Sequence, residues 1–265
     1  MPAEQLLLLA IIQGLTEFLP VSSSGHLVIV GEMMDADQGV AIDVAVHLGS
    51  LLAVVVYFWR DVGMLTRGVG DVLGRRRTEA SRLFSLLALA SIPLVIVGFV
   101  LTRGDAIDDL RTGEVIGWTT IVFGIVLWLA DRYGRQRRTM AKVGIFDAIT
   151  VGLAQCLALV PGVSRSGITM SAARALGFRR TEAARFALLL SIPAILASGA
   201  GVALDLDGGA SDLFSSDALL AAGVSALTAF ASIWFMMALL RRVGMTPFVI
   251  YRLVLGAVLL GIAYF

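Results

Sequence analysis

The sequence predicts an all-α polytopic membrane protein: six full transmembrane helices plus two re-entrant helical hairpins in an inverted-topology repeat. Three observations predict it. Hydrophobic residues make up 58% of the 265 and mean hydropathy is +0.88, far beyond a soluble domain. Six apolar stretches are long enough to span a bilayer. Two further apolar hairpins are interrupted by serine- and glycine-rich turns that carry charge. Strand-like alternation is absent, which argues against a membrane barrel.

Taken in order, the first hairpin runs from Gln5 to Met34 and breaks at Pro20 in PVSSSGH, with Gln13 and Glu17 just upstream. The opening MPAEQLLLLA lacks a basic n-region and a convincing cleavage site, so it reads as retained structure. Spans follow at Ala41–Trp59, Leu83–Thr102 and Glu114–Ala130. The second hairpin runs from Gly144 to Gly177 and breaks at Pro161 in PGVSRSG, with Asp147 and Gln155 upstream. Spans at Ala183–Leu204, Ala218–Leu240 and Phe248–Phe265 complete the chain. At about 1.5 Å per residue each covers roughly 25–35 Å, the thickness of the hydrocarbon core with some tilt. Each hairpin instead pairs a helix too short to span comfortably with a shorter one after the break. The chain therefore reads as one integral membrane domain, 1–265, with repeat one at about 1–131 and repeat two at about 144–265. The single cysteine, Cys156, excludes an internal disulfide and a cysteine-based zinc site.

Charge placement orients the chain. Sixteen of the 21 lysines and arginines fall into four loops: Arg60 to Arg82, Arg132 to Lys142, Arg179 to Arg185, and Arg241 with Arg242. The intervening loops are acidic, through Glu32, Asp35, Asp37 and Asp43, then Asp105, Asp108 and Asp109, then Asp205, Asp207, Asp212 and Asp217. The positive-inside rule sends the basic loops to the cytoplasm. Six spans satisfy that alternation only if each hairpin leaves on the side it entered, the first from outside and the second from inside. Sequence echoes support an inverted pair: Gln13 and Gly25 are 12 residues apart, as are Gln155 and Gly167. A second echo, ALASIP before Leu94 and LLLSIP before Ala194, has another offset and reads as two kinked spans. Inverted repeats with broken helices place a site near the bilayer midplane.

Non-helical backbone at membrane depth survives only where protein buries it or it lines a wet cavity, and ionisable groups there point to function. Ser22, Ser23 and Ser24, and likewise Ser164 and Ser166, stand where a second half-helix begins, as N-cap candidates. Each half-helix then aims unpaired N–H groups and a positive dipole end at the cavity, which favours an anion. Arg165 adds a fork of donors suited to phosphate oxygens. Glu17 shares a helix face with Gln13 and either pairs with Arg165 or holds a divalent metal that bridges phosphates. His26, beside three hydroxyls and a glutamate, suits acid–base work. His47 lies inside an apolar span without matching neighbours and receives no role. Arg174 is expected to snorkel to the inner surface with Arg179, and Arg252 to be structural or a lipid-headgroup contact.

GVSRS is not a nucleophile elbow, because its fifth residue is Ser166, and no P-loop, HExxH or dinucleotide fingerprint occurs. SSSGH is superficially similar to lipid phosphatases of the phosphatidate type, but those need a second, arginine-associated histidine, and only His26 and His47 exist.

At these residues the chain resembles the bacterial undecaprenyl-diphosphate phosphatase family of the bacitracin-resistance type. The family's first motif reads here QGLTEFLPVSSSGH, Gln13 to His26, and its second PGVSRSGIT, Pro161 to Thr169. The hydrophobic layout agrees over essentially the whole chain. The resemblance implies Glu17, Ser23, His26 and Arg165 as the catalytic core, with Gln13, Ser22, Ser24, Ser164, Ser166 and Thr169 lining the phosphate pocket. Some members carry Glu where this chain has Gln13, so a metal, Mg²⁺ or Ca²⁺, would depend chiefly on Glu17. The implied reaction is hydrolysis of a C55-isoprenyl diphosphate to the monophosphate and phosphate, recycling the lipid carrier for peptidoglycan synthesis at the bacterial cytoplasmic (inner) membrane. Its partners are then the polyprenyl diphosphate and membrane lipids, not nucleic acid, and a homodimer is compatible with the sequence. The nucleophile is Ser23 with His26 taking its proton, which the sequence favours, or a water positioned by His26 and Glu17. The alternative class is an inverted-repeat transporter or flippase of an anionic lipid or phosphate, which would use Arg165 and the helix ends without Ser23 beside His26 and Glu17.

Overall fold

The computed structural model describes residues 2–33, 40–101, 110–204 and 212–265, and the described residues contain helices and no strand beyond one isolated bridge, Arg138 to Phe178. Asp35, Asp37, Asp105, Asp108, Asp109, Asp205 and Asp207 of the acidic loops lie outside the described residues. The first hairpin is α1 (Ala3–Thr16) and α2 (Ser23–Met33); the second is α7 (Ile145–Cys156) and α8 (Arg165–Ala175). Between and after them run α3 (Val40–Tyr57), α4 (Trp59–Leu73), α5 (Glu79–Leu101) and α6 (Gly113–Tyr133), then α9 (Arg180–Leu204), α10 (Ser216–Arg242) and α11 (Thr246–Tyr264). Five of these, α5, α6, α9, α10 and α11, are long and apolar enough to cross a membrane, and α3 with α4 makes a sixth candidate. The protein is thus a multi-pass membrane protein.

Local chemistry sets the helix starts. Thr78 and Ser81 exchange side-chain hydrogen bonds with each other's backbone N–H ahead of α5, and Ser215 accepts from the Ala218 N–H at the start of α10. Asp147 accepts from the Gly144 N–H at 2.7 Å and takes both arms of Arg138 at 2.8 and 2.6 Å. It therefore caps α7 at the basic end of the molecule and takes no part in the second break.

One element was not foreseen. The segment read as a basic loop after Trp59 forms α4, bent 94° from α3 at Phe58. Its Trp59, Val69, Val72 and Leu73 are exposed, as is Arg67, the arrangement of a helix lying in a membrane interface.

Packing is close wherever small residues face backbone. α1 lies on α10, where a Cβ on Gly14 would fall 2.0 Å from Thr228 Oγ1 and 2.5 Å from the Ser225 carbonyl. α7 lies on α5 in the same manner, where a Cβ on Gly152 would fall 2.5 Å from the Ala90 carbonyl. In lipid, which offers no hydrophobic gain between helices, such contact supplies the association energy. Prolines sit inside α5 (Pro93) and α9 (Pro193), each removing a backbone donor from its helix.

Two arginines correct the sequence reading. Arg174 does not snorkel: it is fully buried, bonded by Nε to Asp131 Oδ1 at 2.9 Å and by its other nitrogens to the Asp131, Gly134 and Phe178 carbonyls. Arg180 shares the same carboxylate. Arg252 is equally buried, so a lipid-headgroup contact is ruled out and the structural reading holds. It donates to Thr120 O at 3.0 Å, Gly162 O at 2.9 Å and Pro20 O at 3.5 Å, the last two being the carbonyls of the two breaks.

Candidate active site

The two breaks have the same geometry. Ser22 and Ser164, each just before its half-helix, take φ values of 76° and 70°, a left-handed conformation rare outside glycine. Such residues cost of order 1–3 kcal/mol and persist where surrounding structure fixes them. In both turns the residue's hydroxyl lies 3.1 Å from that of the serine two positions on, Ser24 and Ser166. Ser164 caps α8 by accepting from the Gly167 N–H at 3.2 Å. Consequently Ser23 and Arg165 occupy equivalent first positions of their helices, where free N–H groups and the helix dipole favour an anion.

Cross-links fix the breaks against one another. The Gly162 N–H donates to Ser24 Oγ at 2.9 Å, and Ser166 Oγ donates to the Leu19 carbonyl at 2.9 Å. Thr119 Oγ1 donates to Pro161 O at 2.6 Å, and Arg252 joins both turns as described. Every carbonyl that the broken helices release at membrane depth and that these residues reach is satisfied by protein.

Between the breaks lies a cleft of about 580 Å³ whose wall includes Glu17, Ser23, Asp43, His47, Arg111 and Arg165. Arg165 Nη2 donates to Glu17 Oε1 at 2.6 Å across 148 residues of sequence, and Gln13 Nε2 donates to Glu17 Oε2 at 2.8 Å. A second lobe of about 310 Å³ shares Glu17, His47 and Arg165 and continues between Leu94, Ala194 and Ile195. Leu94 and Ala194 follow the two helix prolines directly, so the two proline-bearing helices line this apolar extension.

The structure brings Gln13, Glu17, Ser23, Ser24, Ser164 and Arg165 to one place, in or directly behind the cleft. Ser22 and Ser166 are buried and serve the turns. Thr169 is also buried, its hydroxyl donated to the Arg165 carbonyl at 2.7 Å, so it supports Arg165 from behind. His26 is placed otherwise. Its Nδ1 lies 2.7 Å from the Ser22 carbonyl, an acceptor, so Nδ1 carries the proton, and Nε2 accepts from Tyr251 Oη at 2.6 Å. The two rings stack, with centroids 5.6 Å apart. Both ring nitrogens are thus engaged, and neither is bonded to Ser23.

Sequence reasoning missed three titratable residues of the cleft wall: Asp43, His47 and Arg111. Asp43 and His47 carry a signal, an i,i+4 polar pair inside an apolar span; Arg111 carries none beyond standing ahead of one. For a metal, the carboxylates on the wall are Glu17 and Asp43, and among the described residues no three histidine, cysteine or acidic side chains converge. That is no closed protein cage, but it fits a Mg²⁺-type ion, which takes one or two carboxylates and completes its shell with phosphate oxygens and water.

Fold and site together define a class: a multi-pass helical membrane protein whose polar, cation-bearing cleft is built from two broken helices and opens to an apolar lobe. Residues 6–258 match the family model described as bacitracin resistance protein BacA. The chain belongs to that family. It is 51% identical to the undecaprenyl-diphosphatase of Alcanivorax borkumensis over 261 residues, 97% of each chain. It is 50% identical to that of Ruegeria sp. (strain TM1040) over 270 residues, the full length of both, and 48% identical to that of Jannaschia sp. over 98% of each.

Proposed function

We propose that this protein is a membrane phosphatase that hydrolyses undecaprenyl diphosphate to undecaprenyl phosphate and inorganic phosphate. It would thereby recycle the carrier lipid for peptidoglycan synthesis and contribute to bacitracin resistance. The observation that carries this reading is the Glu17–Arg165 pair facing Ser23 in a cleft that continues into an apolar lobe. A diphosphate needs cationic and N–H neutralisation, and an isoprenyl chain needs an apolar path; the two lobes offer one each. The names of the relatives favour hydrolysis over the transporter alternative.

In the proposed reaction, the terminal phosphate enters between the starts of α2 and α8, and Arg165 exchanges Glu17 for phosphate oxygens. Ser23 Oγ attacks the terminal phosphorus, the bond to the bridging oxygen breaks, and undecaprenyl phosphate leaves; water then releases the phosphate from serine. Glu17, freed of Arg165 and on the same wall, accepts the serine proton. His26, held by Ser22 and Tyr251, keeps the turn that presents Ser23. A divalent cation, Mg²⁺ or Ca²⁺, would be held by Glu17 together with phosphate oxygens and would neutralise charge on the diphosphate.

We further propose the inverted arrangement, with repeat one at about 1–131 and repeat two at about 144–265, in the bacterial cytoplasmic (inner) membrane. The matched serine turns and the pairing of α1 with α10 as α7 pairs with α5 support it. The test of function is phosphate release by the purified protein in detergent from C55 and C15 diphosphates, with and without EDTA. No transport can occur there, so release of phosphate supports hydrolysis and its absence supports the carrier.

A further inference from the structure

His47 stands in the cleft without a place in either motif, and its bonds define its state. Nδ1 lies 2.8 Å from the Asp43 carbonyl, which only accepts, so Nδ1 carries the proton. Nε2 is then an acceptor, and the group 2.9 Å from it is Gln13 Nε2, a donor. The other N–H of that amide goes to Glu17 Oε2. Turning the amide over would set the Gln13 oxygen against a ring lone pair and a carboxylate at once, two repulsive contacts. Neutral His47 therefore decides which way Gln13 points.

We infer that His47 is a positioning residue for the hydrolysis: acting through Gln13, it keeps Glu17 oriented and hydrogen-bonded while Arg165 turns to the phosphate. This rests on the phosphatase reading and extends it. In this chain the relay matters because Gln13 is neutral and has two faces, so something must select one.

The charged groups around the ring are Asp43 on its own helix (Oδ1 at 3.5 Å), Glu17 after α1, Arg165 of α8, and Arg111 on the same cleft wall. Among the described residues, α9 and α10 bring no titratable group to either lobe.

The experiment measures kcat and KM for C55-diphosphate hydrolysis in detergent at neutral pH. Wild type, His47→Gln and His47→Leu are compared. Phosphate release by wild type tests the phosphatase reading separately. His47→Gln, whose amide oxygen can accept from Gln13 as the ring nitrogen does, should hold kcat within about threefold of wild type. His47→Leu should lose kcat roughly ten- to a hundred-fold with little change in KM, as expected for a lost positioning hydrogen bond. Rescue by glutamine and not by leucine is the signature of a hydrogen-bond acceptor rather than of packing volume. Two results overturn the inference: both variants matching wild type in kcat, or both falling equally, which would make His47 a packing residue.

Discussion

Replacing Arg165 with lysine separates two tasks of one guanidinium. In the resting cleft Nη2 is committed to Glu17 Oε1 at 2.6 Å, and the planar fork still has donors directed elsewhere. A lysine at this position keeps a positive charge opposite Glu17 but is a point donor that cannot grip two phosphate oxygens in one plane. A lost charge-assisted hydrogen bond is worth about 1.5–3 kcal/mol, which corresponds to roughly a ten- to 150-fold fall in kcat/KM. Folding should be little affected, since the ion pair survives. Arg165→Met supplies the contrast: Glu17, whose side chain is only 9% exposed, would be left without its cation. Breaking a buried pair costs about 3–5 kcal/mol, and with Arg165 19% exposed the lower end is expected. Phosphate release by malachite green, alongside thermal melting followed by tryptophan fluorescence, reads both quantities. A lysine variant within threefold of wild type would refute the bidentate phosphate contact and reduce Arg165 to a structural partner of Glu17.

Glu17→Gln should abolish phosphate release and the response to EDTA together, because Gln13 contributes no charge; normal turnover with a normal metal response would remove Glu17 from both roles. Ser23→Ala should lose several orders of magnitude if serine attacks, more than the roughly ten- to hundred-fold that a positioning hydrogen bond explains. Parity with Ser22→Ala and Ser24→Ala, in which only turn bonds are lost, would favour water as the nucleophile. Arg252→Met should lower the melting temperature and activity together, since it deprives the Pro20, Thr120 and Gly162 carbonyls of a buried donor; an unchanged melt would contradict the clamp. In a Cys156→Ser background, an impermeant maleimide on intact cells should label cysteines at Glu114 and Ser216 and spare those at Gly70 and Arg137. Equal labelling of all four would undo the inverted topology.

The helices and breaks were readable because hydropathy and turn chemistry are local: each of the six expected spans coincides with a helix to within a few residues, and five of those helices are long and apolar enough to cross a membrane on their own. The Glu17–Arg165 pair could be anticipated because both stand in breaks at membrane depth, where a lone charge is costly. α4 was hidden because its arginines read as a loop, although Trp59, Val69, Val72 and Leu73 leave it with apolar surface. The company of His26 was not legible: its partner Tyr251 lies 225 residues away, and nothing local announces that contact. Arg174 and Arg252 illustrate a general limit. A buried arginine satisfied mainly by backbone carbonyls has partners that hydropathy cannot reveal, because every residue has a carbonyl.

The position of Arg252 along the chain imposes an order on biogenesis. A membrane protein made from its N-terminus inserts α1 and α2, then α7 and α8, well before α11 leaves the ribosome. Both serine turns are therefore in the bilayer before the guanidinium that ties Pro20 to Gly162 exists, and Tyr251, the partner of His26, arrives in the same helical turn. Until then the Pro20 carbonyl lacks this donor, and the two turns are held together only by the direct Gly162–Ser24, Ser166–Leu19 and Arg165–Glu17 bonds. A chain stalled before α11 would hold both signature motifs and their direct bonds without the clamp that Arg252 adds.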